Sequence, residues 1–132
     1  MRPREEAKLV VLVVASEVVV RNAIATYLYR AGYAVILAAH GIEALELSRA
    51  YPDHVHLLIT DVDIPRMSGF DLCDHLIRER PGIRAMIISG ENQHSREAPE
   101  VSIIRRPFTA TDLIEAVRRL LASPRGTARD RG

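Results

Sequence analysis

His56-Leu57-Leu58-Ile59-Thr60-Asp61-Val62-Asp63-Ile64-Pro65-Arg66-Met67-Ser68-Gly69 is the stretch on which the reading of this chain turns. Its apolar run is too short for a helix and is bounded by turn residues. It therefore reads as a buried strand, one that stops at a carboxylate followed by a loop containing Pro and Gly. Asp61 is thereby presented at a strand's carboxyl end. In open sheets covered on both faces by helices, the loops leave a crevice above that edge, and ligands and chemistry collect there. A carboxylate so placed serves as a nucleophile, a metal ligand or both, whereas a lone loop aspartate merely begins a turn. The flanking sequence bears on that choice.

Upstream, Leu9-Val10-Val11-Leu12-Val13-Val14 is a second apolar run, of the kind buried on both faces of a parallel sheet. It ends at Ala15-Ser16-Glu17, where Ser16 is placed to cap a helix through Val20, Ile24 and Leu28, with Gly32 as its stop. Tyr33 to Leu37 reads as the next strand, and Gly41 opens a helix with Ile42, Ala44 and Leu45 turned inward, closed by Pro52. Downstream of Asp61, Ser68 caps a helix through Leu72, Cys73, Leu76 and Ile77 that ends before Pro81-Gly82. Ala85 to Ile88 is a fourth strand running into Ser89-Gly90. The segment from Glu91 to Glu100 is polar, contains Pro99 and has no apolar stripe, so one turn or a loop is expected there. Val101 to Ile104 is a fifth strand, followed by Arg105-Arg106-Pro107-Phe108. Thr109 with Asp112 forms a capping box for a last helix whose inner side is Leu113, Val117 and Leu120. Strand alternating with helix is the grammar of an α/β fold, a doubly wound five-stranded parallel sheet with four or five helices.

Composition agrees with one domain in 132 residues, 48% apolar and 27% charged. The expected division is a charged leader over 1–8, the domain over 9–122 and a disordered tail over 123–132. A net charge of +1 argues against a nucleic-acid footprint, and the Arg-rich end reads as solvated tail. No apolar run reaches membrane-spanning length and no secretory signal is apparent, so a cytoplasmic protein is expected. Cys73 is the one cysteine, which excludes an internal disulfide and multi-thiolate zinc, and it reads as core filler. His54 and His56, beside Asp53, read as surface residues rather than a metal site, because no third ligand converges on them. Tyr27, Tyr29, Tyr33 and Tyr51 read as packing between helices and sheet. Of the basic residues seventeen are Arg, and Lys8 is the one Lys.

In a doubly wound sheet the ends of the first, third, fourth and fifth strands converge, which brings Asp61, Ser89 and Arg106 to one crevice. These are the parts needed to form and hold an aspartyl phosphate. The carboxylate attacks phosphorus, the hydroxyl bonds a phosphoryl oxygen and the cation neutralises charge.

From about Leu9 to Leu121 the chain resembles the receiver domain of bacterial two-component response regulators. The resemblance rests on the Asp61-to-Gly69 loop, Gly41-Ile42-Glu43-Ala44-Leu45, Ile88-Ser89-Gly90 and Arg106-Pro107-Phe108, in that order on those elements. It implies a flavodoxin-like architecture with a shortened or missing fourth helix. It also implies Asp61 as phosphoacceptor, Ser89 and Arg106 as phosphate-binding groups, and a cis bond before Pro107. A Mg²⁺ site on Asp61 and the Asp63 backbone carbonyl is implied too, with Glu17 or the Asp63 side chain as partial substitutes for lost ligands.

Three positions depart from the pattern. Receivers carry an acidic pair after the first strand to hold Mg²⁺, and here those positions are Ala15 and Ser16, so the metal site is expected to be weak or absent. The pattern's Lys is Arg106, which either binds phosphate or clamps the unmodified Asp61. The aromatic switch position on the fifth strand is Ile103. The expectation is a single-domain receiver-like module in phosphorelay signalling, not an enzyme, with a degenerate pocket centred on Asp61. Its partners would be a histidine kinase or phosphotransfer protein, or a phosphate-independent protein, with neither nucleic acid nor membrane involved. The alternative is a conventional receiver phosphorylated on Asp61 by a histidine kinase. A remoter alternative is a haloacid-dehalogenase-type phosphatase with Asp63 as acid and base, Ser89 on phosphate and Arg105 or Arg106 in the lysine role. That reading places the motif on the wrong strand and leaves only Asp112 and Glu115, on an amphipathic helix, as a later acidic pair.

Overall fold

The computed structural model describes residues 8–90 and 101–123. The expected loop over 91–100, most of the leader and nearly all of the tail lie outside the described residues. Eleven elements follow in order: β1 (Val10–Val14), α1 (Val18–Arg30), β2 (Ala34–Ala38), α2 (Gly41–Ala50), β3 (Leu57–Asp61), β4 (Asp63–Ile64), β5 (Met67–Ser68), α3 (Gly69–Glu79), β6 (Arg84–Ser89), β7 (Val101–Arg105) and α4 (Ala110–Ala122). The main sheet has the order β2-β1-β3-β6-β7, and every pairing in it is parallel.

Alternation along the central strands explains why they are apolar throughout. Val10, Leu12 and Val14 of β1, Leu58 of β3, and Ala85 and Ile87 of β6 join one core with residues of α2 and α3. Val11 and Val13, Leu57 and Ile59, and Met86 and Ile88 join the other with residues of α1 and α4. Each fully buried Leu or Ile contributes about 2 kcal/mol by removal from water, which fixes strand register against slippage. Cys73 is buried on α3 as core filler.

The expected capping box of Thr109 with Asp112 forms at α4, and the expected cap Ser68 is part of a second box, with Asp71, at α3. Gly32 ends α1 at φ 99°. Four local expectations are corrected. Ser16 does not cap α1: Glu17 occupies that position in an extended conformation without a side-chain cap, because the helix begins one residue later, at Val18. Ile42 is exposed rather than inward, because α2 turns Gly41, Ala44, Leu45 and Ser48 to the core. Tyr29 faces solvent, with the Lys8 ammonium 5.5 Å from its ring centre. The loop after Asp61 is itself ordered as a small antiparallel ladder, β4 against β5. Its corner is Pro65-Arg66, with Arg66 at φ 77°.

Candidate functional site

β3 is the central strand, and its last residue, Asp61, lies opposite Ile88 of β6. The chain then turns over the strand end: the Val62 N–H donates to the Ile88 carbonyl at 3.3 Å and the Gly69 N–H to the Val62 carbonyl at 2.6 Å. Gly69 is required there. A Cβ on it would lie 2.1 Å from the Asp61 carbonyl oxygen, so the first turn of α3 sits directly on the backbone of the candidate phosphoacceptor.

On the other side, the Arg106 N–H donates to the Ser89 carbonyl at 2.9 Å, which folds the chain back over the end of β6. The Arg106–Pro107 peptide bond is cis. From this position Arg106 reaches across β6, bridging strands that lie about 10 Å apart, two inter-strand spacings. Its guanidinium Nη2 donates to Asp61 Oδ1 at 2.8 Å. The Asp61 side chain is 13% exposed and that of Arg106 44%, so the carboxylate is nearly enclosed and its partner half in water.

Burial holds the Asp61 carboxyl above the ordinary aspartate range. Burial is the largest cause; Arg106 pulls the other way by charge and hydrogen bond, and the nearby charges of Glu17 and Asp63 add to the rise. Ser89 is fully buried, and its hydroxyl donates to the Gly90 carbonyl at 3.2 Å. The structure thus brings Asp61, Ser89 and Arg106 to one edge of the sheet, with the cation on the carboxylate.

The implied metal site fares differently. Mg²⁺ wants near-octahedral oxygen ligands, and a site for it usually draws on one or two carboxylates. Ala15 offers a buried methyl group, and its carbonyl accepts from the Arg21 guanidinium at 2.8 Å. Glu17 and Asp63 lie within electrostatic reach of Asp61, yet among the described residues no three His, Cys, Asp or Glu side chains converge to hold a metal ion. With one Asp61 oxygen engaged by Arg106 and no carboxylate at positions 15 and 16, a Mg²⁺ held here would depend on the other Asp61 oxygen with Glu17 or Asp63. The later acidic pair of a phosphatase is likewise missing as a pair, since Asp112 is spent on the α4 capping box.

Two features were not legible beforehand. Arg21 carries no motif, and its bond to Ala15 shows only in three dimensions. His56 is not a plain surface residue: its Nδ1 accepts from the Val10 N–H at 2.9 Å, and burial, with His54 beside it, lowers its pKa. Ile103 is 36% exposed on the edge strand β7. No helix among the described residues is long and apolar enough to cross a membrane.

The profile described as the response regulator receiver domain matches residues 11–118. The chain is 32% identical over 116 residues to the sensor kinase CckA of Brucella abortus, which covers 84% of this chain and 12% of that protein. It is 28% identical over 116 residues to the response regulator RR06 of Streptococcus pneumoniae, covering 84% of this chain and 52% of that protein. The chain thus spans about half, or much less, of the length of these relatives. Among solved structures, the chemotaxis response regulator CheY4 of Vibrio cholerae superposes with a TM-score of 0.75 at 23% identity, covering 86% of this chain and 99% of that one.

Proposed function

Because the chain belongs to the response regulator receiver domain family, we propose that it acts in two-component signalling as a receiver whose phosphoacceptor pocket is closed by its own arginine. The observation that carries this reading is the 2.8 Å bond from Arg106 to Asp61. Phosphoryl transfer to a carboxylate needs a free oxygen lone pair directed at phosphorus, with cations placed on the incoming oxygens. A guanidinium bonded to Oδ1 withdraws electron density from the nucleophile and occupies the space a phosphoryl group would take. It is also permanently charged and held in a planar fork, so it does not retreat by losing its proton as a lysine can. Ala15 and Ser16 bring no carboxylate to help hold a metal ion that would compete with it. Asp61 is then a fixed structural anion and the module signals through protein contact without phosphorylation.

The surface beside the site supports such contact. Val18 and Val19, in the first turn of α1, are 52% and 76% exposed, an apolar pair at the rim of the crevice where a protein partner would dock. A histidine kinase, a phosphotransfer protein or a phosphate-independent partner would each meet the domain there.

Calorimetric titration of wild type and Arg106→Lys with Mg²⁺ and a phosphoryl analogue such as beryllofluoride tests the reading. Lysine leaves room for the analogue and does not fork onto the carboxylate, so binding should strengthen by at least about tenfold. No gain in the variant counts against the clamp. The second reading is a conventional receiver phosphorylated on Asp61. It is favoured by the convergence of Asp61, Ser89 and a cation on one edge, and tight analogue binding by wild type would support it.

A further inference from the structure

The main sheet has two edges, and they are guarded differently. β7 carries Arg105 and Ser102 along its five residues, whereas β2 reads Ala34-Val35-Ile36-Leu37-Ala38, with no charge, proline or glycine. Parallel pairing with β1 consumes the groups on one side of β2: the Ala34 N–H donates to Leu9, and the Ala38 carbonyl accepts from Ala15. By the strand's period of two, Ala34, Ile36 and Ala38 turn their backbone groups to β1, and Val35 and Leu37 turn theirs outward. None of the hydrogen bonds found in the described structure uses these outward groups. Leu37 is 36% exposed as well. Protein edges are ordinarily blunted by lysine, proline, a bulge or a covering element, and an unguarded apolar edge is a template for another strand.

We propose that β2 is a self-association edge, at which a second copy of this chain adds its own β2 antiparallel about a two-fold axis through Ile36. The argument for a second copy is self-complementarity. With the axis at Ile36, Val35 of one copy lies opposite Leu37 of the other, and each such pair exchanges both of its backbone bonds. The strand is uncharged, so no like charges meet across the axis, and the odd-numbered side chains of both copies fall on the same face. The five-stranded sheet then continues unbroken into its partner. The area is small: two five-residue strands bury well under the roughly 800 Å² per partner of a standard interface. The dimer is therefore weak and forms toward the upper end of the micromolar range.

The test is sedimentation velocity of the full chain from micromolar to millimolar concentration, beside Leu37→Lys and a control on the opposite edge, Ile103→Lys. Wild type and the Ile103 variant should shift from monomer to dimer, and Leu37→Lys, which sets ammonium groups near one another across the axis, should stay monomeric. A second measurement needs no variant: hydrogen exchange at the Val35 and Leu37 amides should slow several-fold at the higher concentration. A wild type monomeric throughout, a dimer lost with Ile103→Lys and kept with Leu37→Lys, or exchange indifferent to concentration overturns the proposal.

Discussion

Gly69→Ala places the packing around Asp61 under a direct load, because two opposing effects act at one position. In a helix, alanine is preferred to glycine by about 1 kcal/mol, so propensity alone predicts stabilisation. The added Cβ would sit 2.1 Å from the Asp61 carbonyl oxygen, 3.0 Å from its carbon and 3.2 Å from Thr60 Cγ2. Two of these contacts are backbone, which has no rotamer to change, so α3 must retreat from β3 by roughly 1 Å to restore van der Waals separation. Retreat stretches the 2.6 Å bond from Gly69 to Val62 and strains the turn over the strand end. Overpacking of this kind costs about 1–3 kcal/mol, and a weakened backbone hydrogen bond about 1 kcal/mol more. Set against the propensity gain, the net expectation is a loss of about 1–3 kcal/mol, lowering Tm by roughly 4–12 °C for a domain of this size. Gly41→Ala is the control. Its Cβ would meet Met67 Cγ and Sδ at 2.7 Å, side-chain rather than backbone atoms that a change of rotamer can move, so its cost is smaller than that of Gly69→Ala. Urea unfolding of the two variants and wild type measures both. Equal stability of Gly69→Ala and wild type would refute the close docking of α3 on the Asp61 backbone.

Three further outcomes follow from the structure. The His56 pKa is lowered in the folded state and its Nδ1 accepts a backbone N–H, so its contribution is complete above the unfolded value of 6.5 and is lost as pH falls through the lower folded value. Thermal unfolding across mildly acid pH should show that loss, and His56→Asn, which offers an acceptor that does not titrate there, should flatten it. The Asp61 pKa is raised, so folding favours its protonated form: its contribution is complete below the unfolded value of 3.8 and is lost as pH rises through the higher folded value. Asp61→Asn should therefore raise Tm at neutral pH, and a fall would mean that the Arg106 pair outweighs burial. Arg66 holds φ at 77° at the corner of the β4–β5 ladder, so Arg66→Gly should stabilise by about 0.5–1 kcal/mol in urea unfolding, the left-handed penalty less the entropy glycine adds to the unfolded chain.

The order of elements was legible because the strands are buried on both faces. A run such as Val10 to Val14, with every residue enclosed, has no solvent-facing member to blur its pattern. The caps at Ser68 and Thr109 were legible for a related reason, since their partners lie three residues away in sequence. What failed was local detail set by tertiary packing. Ser16 is a good capping residue, but α1 starts after Glu17. Ile42 is apolar, but the short Gly41 is what admits Met67 against α2. The convergence of Asp61, Ser89 and Arg106 followed from strand order alone, whereas Arg21 on the Ala15 carbonyl joins a helix to a strand end and leaves no spacing to read.

The central claim is that Arg106 withholds Asp61 from phosphorylation, and intact-protein mass after incubation with a small phosphodonor and excess Mg²⁺ tests it most directly. Wild type and Asp61→Asn should keep their mass, and Arg106→Lys should gain a phosphate-sized increment that disappears when Asp61→Asn is added to it. A wild type that gains the increment as fully as Arg106→Lys, with Asp61→Asn gaining none, would contradict the claim.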